Sequence, residues 1–504
     1  VGDQMQWNSV LLGKNTDPLN PPGDFKLEFV NPDGKLIEAL QTSDLFLVTA
    51  NAQHINTSPA SFSNIMSIGG WGLQANIGEN TAYNDYKNIM IIKGKRGKLF
   101  DPNNASNGLV NNPSKWTQAA DFAAPTTYDR EGVLQAPDIS QMVILSQWLQ
   151  TYFENAAAES GDAAAGSYFS KFNTIAQDDN WTGILFLRVD IDKVPSNLSG
   201  IVAGVTDMSA FNAHHLAVEI SPVKKSGDDA SLDHPSTIFG LIYYVDPQFT
   251  DAAPYTTLSP DTSFPYDFRL LTLKVLFENT AVKSFESFAQ LTISNLFGSN
   301  ITKMGDPANV YNNILLKGSF QLNGSTPVYN LSSAGDNVFY PAGNIIKRVT
   351  ISNAVLTARN SGIAGKATSW FGLRGFIEYY SLQFTVQQES EVAVTIPFDL
   401  FSFGNESGNE LSGKGLAFND LGIMMTYTIE TPTDRGFVFV SDEISFDTSI
   451  STPRKLSIFN NFALEEPVLL SGDKDNGPDK LGYLTVIPDM RLGGVSGGQW
   501  YGLK

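Results

Sequence analysis

The adjacent histidines His214 and His215 are the sharpest chemical feature of this chain, because its 504 residues contain only four imidazoles. In the stretch Asn212-Ala213-His214-His215-Leu216-Ala217-Val218-Glu219-Ile220, a strand would place His214 with Leu216, Val218 and Ile220, and His215 on the other face with Ala217 and Glu219. The two rings are then expected to point apart. Residues four apart on a strand are separated by about 13 Å, so His215 and Glu219 do not share a metal unaided. A helical HExxH spacing is absent. The plain reading is a pair of core histidines, and a reactive site is the alternative.

Carboxylates offer two further candidates. Asp473, Asp475 and Asp479 occupy positions one, three and seven of an acidic turn containing Gly477-Pro478. Hard oxygen ligands on a turn suit calcium, although the EF-hand pattern of a glycine at six and a bidentate glutamate at twelve is not met. This turn is the candidate metal site, with calcium as its ion; no other cofactor is implied. Asp190 and Asp192 alternate with Val189 and Ile191 beside Arg188. Two residues apart on a strand is about 6.6 Å between Cα atoms, a spacing open to a glycosidase pair. A surface ion pair with Arg188 explains the same residues more simply. The acidic loop Asp228, Asp229 and Asp233 reads as solvated surface.

Two motifs fail on context. Gly494-Val495-Ser496-Gly497-Gly498 spells GxSxG, but all four histidines (His54, His214, His215, His234) precede it and only six residues follow. The triad order of a nucleophile elbow therefore cannot be completed within this sequence. Gly408 to Gly415 nearly spells a P-loop, yet Gly415 stands where a hydroxyl should meet Mg²⁺, and no helix start is evident to receive phosphate. With no cysteine in the sequence, disulfides, thiolate metal sites and thiol nucleophiles are excluded. No constellation supports a reaction.

The elements that must hold these residues are mostly strands. Phe25, Leu27 and Phe29 alternate with polar residues before the turn Asn31-Pro32-Asp33-Gly34, a hairpin signature. Period-two alternation recurs at Leu271–Phe277, Ala289–Ile293, Tyr380–Val386 and Ile423–Ile429. Gly94–Gly97 is expected to turn Ile89–Ile92 back into Lys98-Leu99-Phe100, and Thr431–Gly436 to turn into Phe437–Val440. Segments with one apolar and one polar face define antiparallel sheets with a solvated side. One region differs. From Ser140 to Ala158, Ile144, Leu145, Trp148, Leu149, Tyr152 and Phe153 fall at helical spacing, and Tyr168, Phe169, Phe172 and Ile175 follow on a second helical face. The fold class is thus mainly β, with antiparallel sandwiches or barrel-like sheets in several units and one inserted α-helical hairpin that packs as a lid. The expected division is residues 1–136, 137–178, 179–265 and 266–504.

Composition sets the functional frame. Hydrophobic residues make up 42% of the chain, enough for a buried core, and the net charge is −19. Such an acidic chain repels phosphate, which disfavours nonspecific nucleic-acid binding and anionic membrane surfaces. No apolar run approaches the roughly 20 residues of a spanning helix. The chain begins without methionine and ends in strand-like Gly498–Lys504, so we read it as processed or as part of a longer polypeptide. Half-polar sheets with Asn-, Gly- and Ser-rich loops are good scaffolds for loop-borne recognition. The expected function is a non-enzymatic structural or binding protein, extracellular, surface-exposed or particle-associated, with a protein or glycan partner or with copies of itself. The alternatives are a secreted toxin with pore-forming or receptor-binding activity, and a glycan-active hydrolase.

Overall fold

A computed structural model describes residues 45–49, 62–77, 86–116, 139–162, 166–220, 223–226, 229–232, 237–249, 265–297, 299–304, 312–324, 326–333, 335–342, 346–359, 362–380, 382–387, 393–398, 415–440, 444–447, 467–472 and 498–503. Within them the alternating segments are strands. The N-terminal set comprises β1 (Phe46–Thr49), β2 (Phe62–Ile68), β3 (Trp71–Ile77), β4 (Ile89–Lys93), β5 (Gly183–Lys193) and β6 (Asn212–Glu219). β7 (Val223–Ser226) and β8 (Asp229–Leu232) form a separate hairpin. Then come β9 (Thr237–Val245), β10 (Tyr266–Glu278), β11 (Ala281–Ile293), β12 (Asn295–Leu296), β13 (Ser299–Lys303), β14 (Asn313–Asn323), β15 (Thr326–Ser333), β16 (Asn337–Pro341), β17 (Ile346–Arg359) and β18 (Lys366–Tyr379). β19 (Leu382–Gln387) pairs with β20 (Ala393–Phe398). β21 (Leu416–Thr428), β22 (Arg435–Val440) and β23 (Ser445–Asp447) follow, and β24 (Pro467–Gly472) pairs with β25 (Gly498–Leu503).

Every pairing among these strands is antiparallel. The main ladder runs β1–β4–β5–β6–β9–β10–β11–β14–β15, and continues through one pairing, Ser332 opposite Val355, into β17–β18–β21 with β22 and β23 at its edge. β10 pairs with β9 on one side and β11 on the other, so the ladder crosses position 265 without a break. β2 and β3 meet in a hairpin whose turn residues Gly69 and Gly70 have φ of 58° and 86°. Those values suit the mirror-image turns that match strand twist.

The sparse β15–β17 join lets the two halves of the ladder face each other. Phe268 on β10 meets Phe371 on β18 at 5.1 Å between ring centroids and Tyr266 stacks on Phe439, while Trp71 and Tyr329 meet edge-on within the first half. Leu270, Leu273, Val275 and Phe277 of β10 join Ile423, Met425 and Tyr427 of β21 in this core. A 3₁₀ segment, Ser196–Gly204, sits within it. Side chains from distant strands hold its backbone: the Tyr427 hydroxyl donates to the Ser199 carbonyl at 2.9 Å, Arg435 Nη1 to Ala203 at 2.6 Å, and Asn197 Nδ2 to the Tyr329 carbonyl. Local fit is tight where two strands meet without side chains. Gly422 lies under the Trp370 ring, so that a Cβ there would stand 1.8 Å from it.

The second core lies on the other face of the ladder. Helices α1 (Ile139–Gly161) and α2 (Gly166–Gln177) form the helical hairpin that the periodicity predicts. Leu149, Phe153, Phe169, Phe172 and Ile175 pack onto Ile91, Leu185, Leu187, Ala217, Phe239 and Leu241. Burying each aromatic there is worth about 1.5–3 kcal/mol. This cover changes the reading of β10: Thr272, Lys274 and Leu276 form a side that is buried, rather than solvated as the alternation implies. The Gly94–Gly97 turn also leads elsewhere than expected. β4 pairs with β1 and β5, while Leu99 and Phe100 leave the ladder and join the helical core, with the Phe100 N–H donating to the Ala176 carbonyl. Among the described residues, no helix is long and apolar enough to cross a membrane.

Candidate functional site

The seam between the helical hairpin and the ladder is the most concentrated group of titratable and aromatic side chains described. It begins with a fault in two neighbouring strands. Up to Leu187, β5 pairs with β4; from Asp190 it pairs with β3. Arg188 stands at the change of partner with a left-handed φ of 51°, and Asn88, at the start of β4, has the same sign with φ of 51°. The hand-over shifts the alternation of β5. Leu187 faces the helical core, yet Val189 joins the main core, although unbroken alternation places the two on one face. Opposite, β6 carries a bulge between Ala213 and His215 in its register with β9. Bulges re-aim side chains by inserting one residue into a strand.

The bulge corrects the expectation that the two imidazoles point apart. Ala213 and Leu216 enter the main core, while His214 and His215 both turn toward the helices. Their Nδ1 atoms lie 2.9 Å apart. His214 stacks on Tyr152 of α1 at 4.5 Å and meets the edges of Phe169 and Phe172 of α2. His215 packs between Phe172 and Phe239. The Tyr152 hydroxyl donates to the His214 carbonyl at 2.5 Å, and Trp148 stacks on Tyr152 at 4.9 Å. Burial dominates the electrostatics. Loss of solvent pushes His214 down to about 3 and His215 well below its ordinary value, with His214 adding a smaller effect on its neighbour. Burial likewise raises the Tyr152 phenol above its ordinary range, a shift that Arg188 partly offsets. His215 Nε2 is buried with no hydrogen-bond partner.

Charged groups around the seam are already engaged. Glu159 of α1 accepts from the Tyr243 hydroxyl at 3.2 Å, and Lys171 of α2 lies 3.6 Å from Glu219 of β6. Lys274 of β10 pairs with Glu286 at 3.4 Å beneath the rings of Tyr168 and Tyr243. Arg188 donates to the carbonyls of Tyr86 and Ser209. Asp190 accepts from the side-chain amides of Asn76 and Asn88, both at 2.9 Å, with Lys87 at 3.8 Å. It pins β3 to the start of β4 at the hand-over. A second buried anchor ties Asp246 to Arg269 through two hydrogen bonds, of 2.7 and 2.5 Å, with Thr206 also donating to Asp246 at 2.8 Å.

Among the described residues no group of three His, Cys, Asp or Glu is placed to hold a metal ion. Asp473, Asp475 and Asp479 lie outside the described residues, as do Ser496, His54, His234, Asp228 and Asp233 and most of the Gly408–Gly415 loop. Spacing along the sequence singles out Arg188 but shows neither its left-handed backbone nor the bulge, because positive φ in a non-glycine residue has no compositional signal here. Tyr152 is visible as part of a helical stripe, but its stacking on His214 follows only from the packed seam. No protein-family model, curated protein or solved structure matches the chain.

Proposed function

We propose that this protein is a non-enzymatic structural or binding component that presents loops from an extended β-scaffold, outside the cell, on a surface or within a large particle. One observation carries the reading: the described groups best suited to chemistry are engaged in holding strands together. Asp190 is tied to two amides at a strand junction, Arg188 to two carbonyls, Asp246 to Arg269, and the histidines face each other in the seam, His215 buried and His214 half-buried. Strands of 13 and 14 residues in a continuous ladder supply a stiff frame, on which loops can vary without disturbing the core. The partner class is a protein, a glycan or further copies of the chain.

Light scattering coupled to size exclusion, with protein and glycan arrays, tests this. Assembly beyond the 54.8 kDa chain, or saturable binding without turnover, is the expected result. Turnover of any polysaccharide that is abolished by Asp190→Asn would establish the hydrolase reading instead.

A second reading, a membrane-active toxin, draws on Ile363 and Ile429. They lie on adjoining turns, joined by the Ile429 N–H donating to Gly365, and each is 59% exposed. Dye release from zwitterionic liposomes that is lost in Ile363→Ser/Ile429→Ser would favour it. The turn of Asp473, Asp475 and Asp479 is our candidate calcium site. Titration calorimetry is expected to show calcium binding that Asp473→Asn/Asp475→Asn removes; absence of heat with the unaltered chain rules that site out.

A further inference from the structure

We propose that His214 and His215 form an acid-sensitive latch, which holds the α1–α2 hairpin on the ladder while the pair carries two protons and releases it as a unit when a third arrives. Two neutral imidazoles share two protons over four nitrogens: His215 Nδ1–H bridges to His214 Nδ1 across 2.9 Å, so the second proton sits on Nε2 of the half-buried His214 and the buried His215 Nε2 carries none. A third proton has two outcomes. If the bridge survives, both Nε2 atoms are protonated, and the N–H at His215 Nε2 is buried without an acceptor. If the bridge breaks, two N–H groups face each other at the same short distance. Either arrangement places an imidazolium among Tyr152, Phe169, Phe172 and Phe239, and a buried charge without a partner is strongly unfavourable.

Among the described residues, no neighbouring element supplies a free counter-charge. On α1, Glu159 is bonded to Tyr243 of β9; on α2, Lys171 faces Glu219 of β6. From the ladder, Arg188 of β5 adds a cation, and Lys274 of β10 is paired with Glu286 of β11. The least costly response is to expose the pair. The seam separates at the helices, because α1 and α2 reach the rings with aromatic side chains and one hydroxyl, whereas β6 is held by full ladders to β5 and β9.

In the released state each imidazole returns to an ordinary pKa of about 6.5, so one ring alone favours release about 25-fold more at pH 5 than at pH 7. Two rings give a larger factor. The sign follows from burial: the docked state refuses protons that the released state accepts, so docking is strongest above pH 6.5 and weakens as pH falls through the window toward about 3.

A chain without cysteine allows a direct test by thiol labelling. Ala156→Cys places a thiol in the seam and Ala289→Cys one in the main core, both at buried positions. Labelling by 4,4′-dithiodipyridine is followed at pH 7, 6 and 5 and normalised to an unfolded peptide thiol at each pH. The expected result is a rise of about 25-fold or more for Ala156→Cys at pH 5, with Ala289→Cys still protected. That rise should vanish in the His214→Gln/His215→Gln background. The proposal is overturned by an Ala156→Cys thiol no faster at pH 5 than at pH 7, by an equal rise in the double-Gln background, or by both thiols opening together, which is global acid unfolding. If the double-Gln chain is already labelled at Ala289→Cys at neutral pH, His214→Gln/His215→Phe takes its place, filling the gap between Phe172 and Phe239 with a group that cannot titrate. An undiminished acid response in that variant also overturns the latch.

Discussion

At the residue scale, three side chains show how fit and polarity constrain this chain. Trp370 covers Gly422 so closely that the ring must move if a methyl is added. Overpacking of this kind costs roughly 1–3 kcal/mol, and Gly422→Ala is expected to lower the unfolding free energy by that amount, seen as a lower denaturant midpoint with an unchanged slope. Arg269 is the main cationic partner of Asp246, which is itself almost fully buried. Arg269→Met leaves that carboxylate behind, and removing one partner of a buried pair costs about 3–5 kcal/mol. Urea titration of the variant checks this; a loss below about 1 kcal/mol would show that water or Thr206 takes over the carboxylate. Lys93 is the third case. Its ammonium donates to the carbonyls of Trp181 at 2.6 Å and Asp179 at 3.1 Å, and burial lowers its pKa to about 8 despite the opposing pull of Asp178 and Asp179. The unfolded chain therefore holds more protons than the folded one between about pH 8 and 10.5, so Lys93 makes stability rise with pH across that window. Lys93→Met is expected to flatten this part of the stability profile while costing about 1–3 kcal/mol at neutral pH, since two carbonyls lose their donor.

At the element scale, the helical hairpin and the ladder differ in how readily they could be read. Ile144 to Phe153 and Tyr168 to Ile175 repeat at helical spacing over more than four turns, and such a long periodic signal has one solution. β21 and the turn into β22 were equally legible, because Thr431-Pro432-Thr433-Asp434 separates two alternating runs. The seam was not. Alternation assigns His214 to the face of Leu216, and only the bulge facing Arg188 moves it; a one-residue fault leaves composition and period almost untouched. Lys274 misleads for a related reason: a lysine suggests solvent, yet its ammonium lies under two tyrosine rings supplied by other elements. Cutting the hairpin's own anchor should act locally. Phe172→Ala removes the ring that touches Phe153, His214 and His215 together, and costs about 3–5 kcal/mol by the usual cavity penalty. Hydrogen exchange is expected to rise across α1 and α2 while β18 and β21 stay protected; equal loss in all four would make the two cores one cooperative unit.

At the scale of the whole molecule, the 3₁₀ segment Ser196–Gly204 is held by groups far along the chain: Tyr427 reaches Ser199 across 228 positions, and Arg435 reaches Ala203 across 232. A ribosome adding 5–20 residues per second needs roughly 10–50 s to make that intervening stretch. For that interval the nascent segment has its apolar side chains and backbone carbonyls available but not the strands that will clasp them. Early emergence without late partners exposes the growing polypeptide to mispairing, so slower translation ahead of Tyr427 should increase its dependence on chaperones.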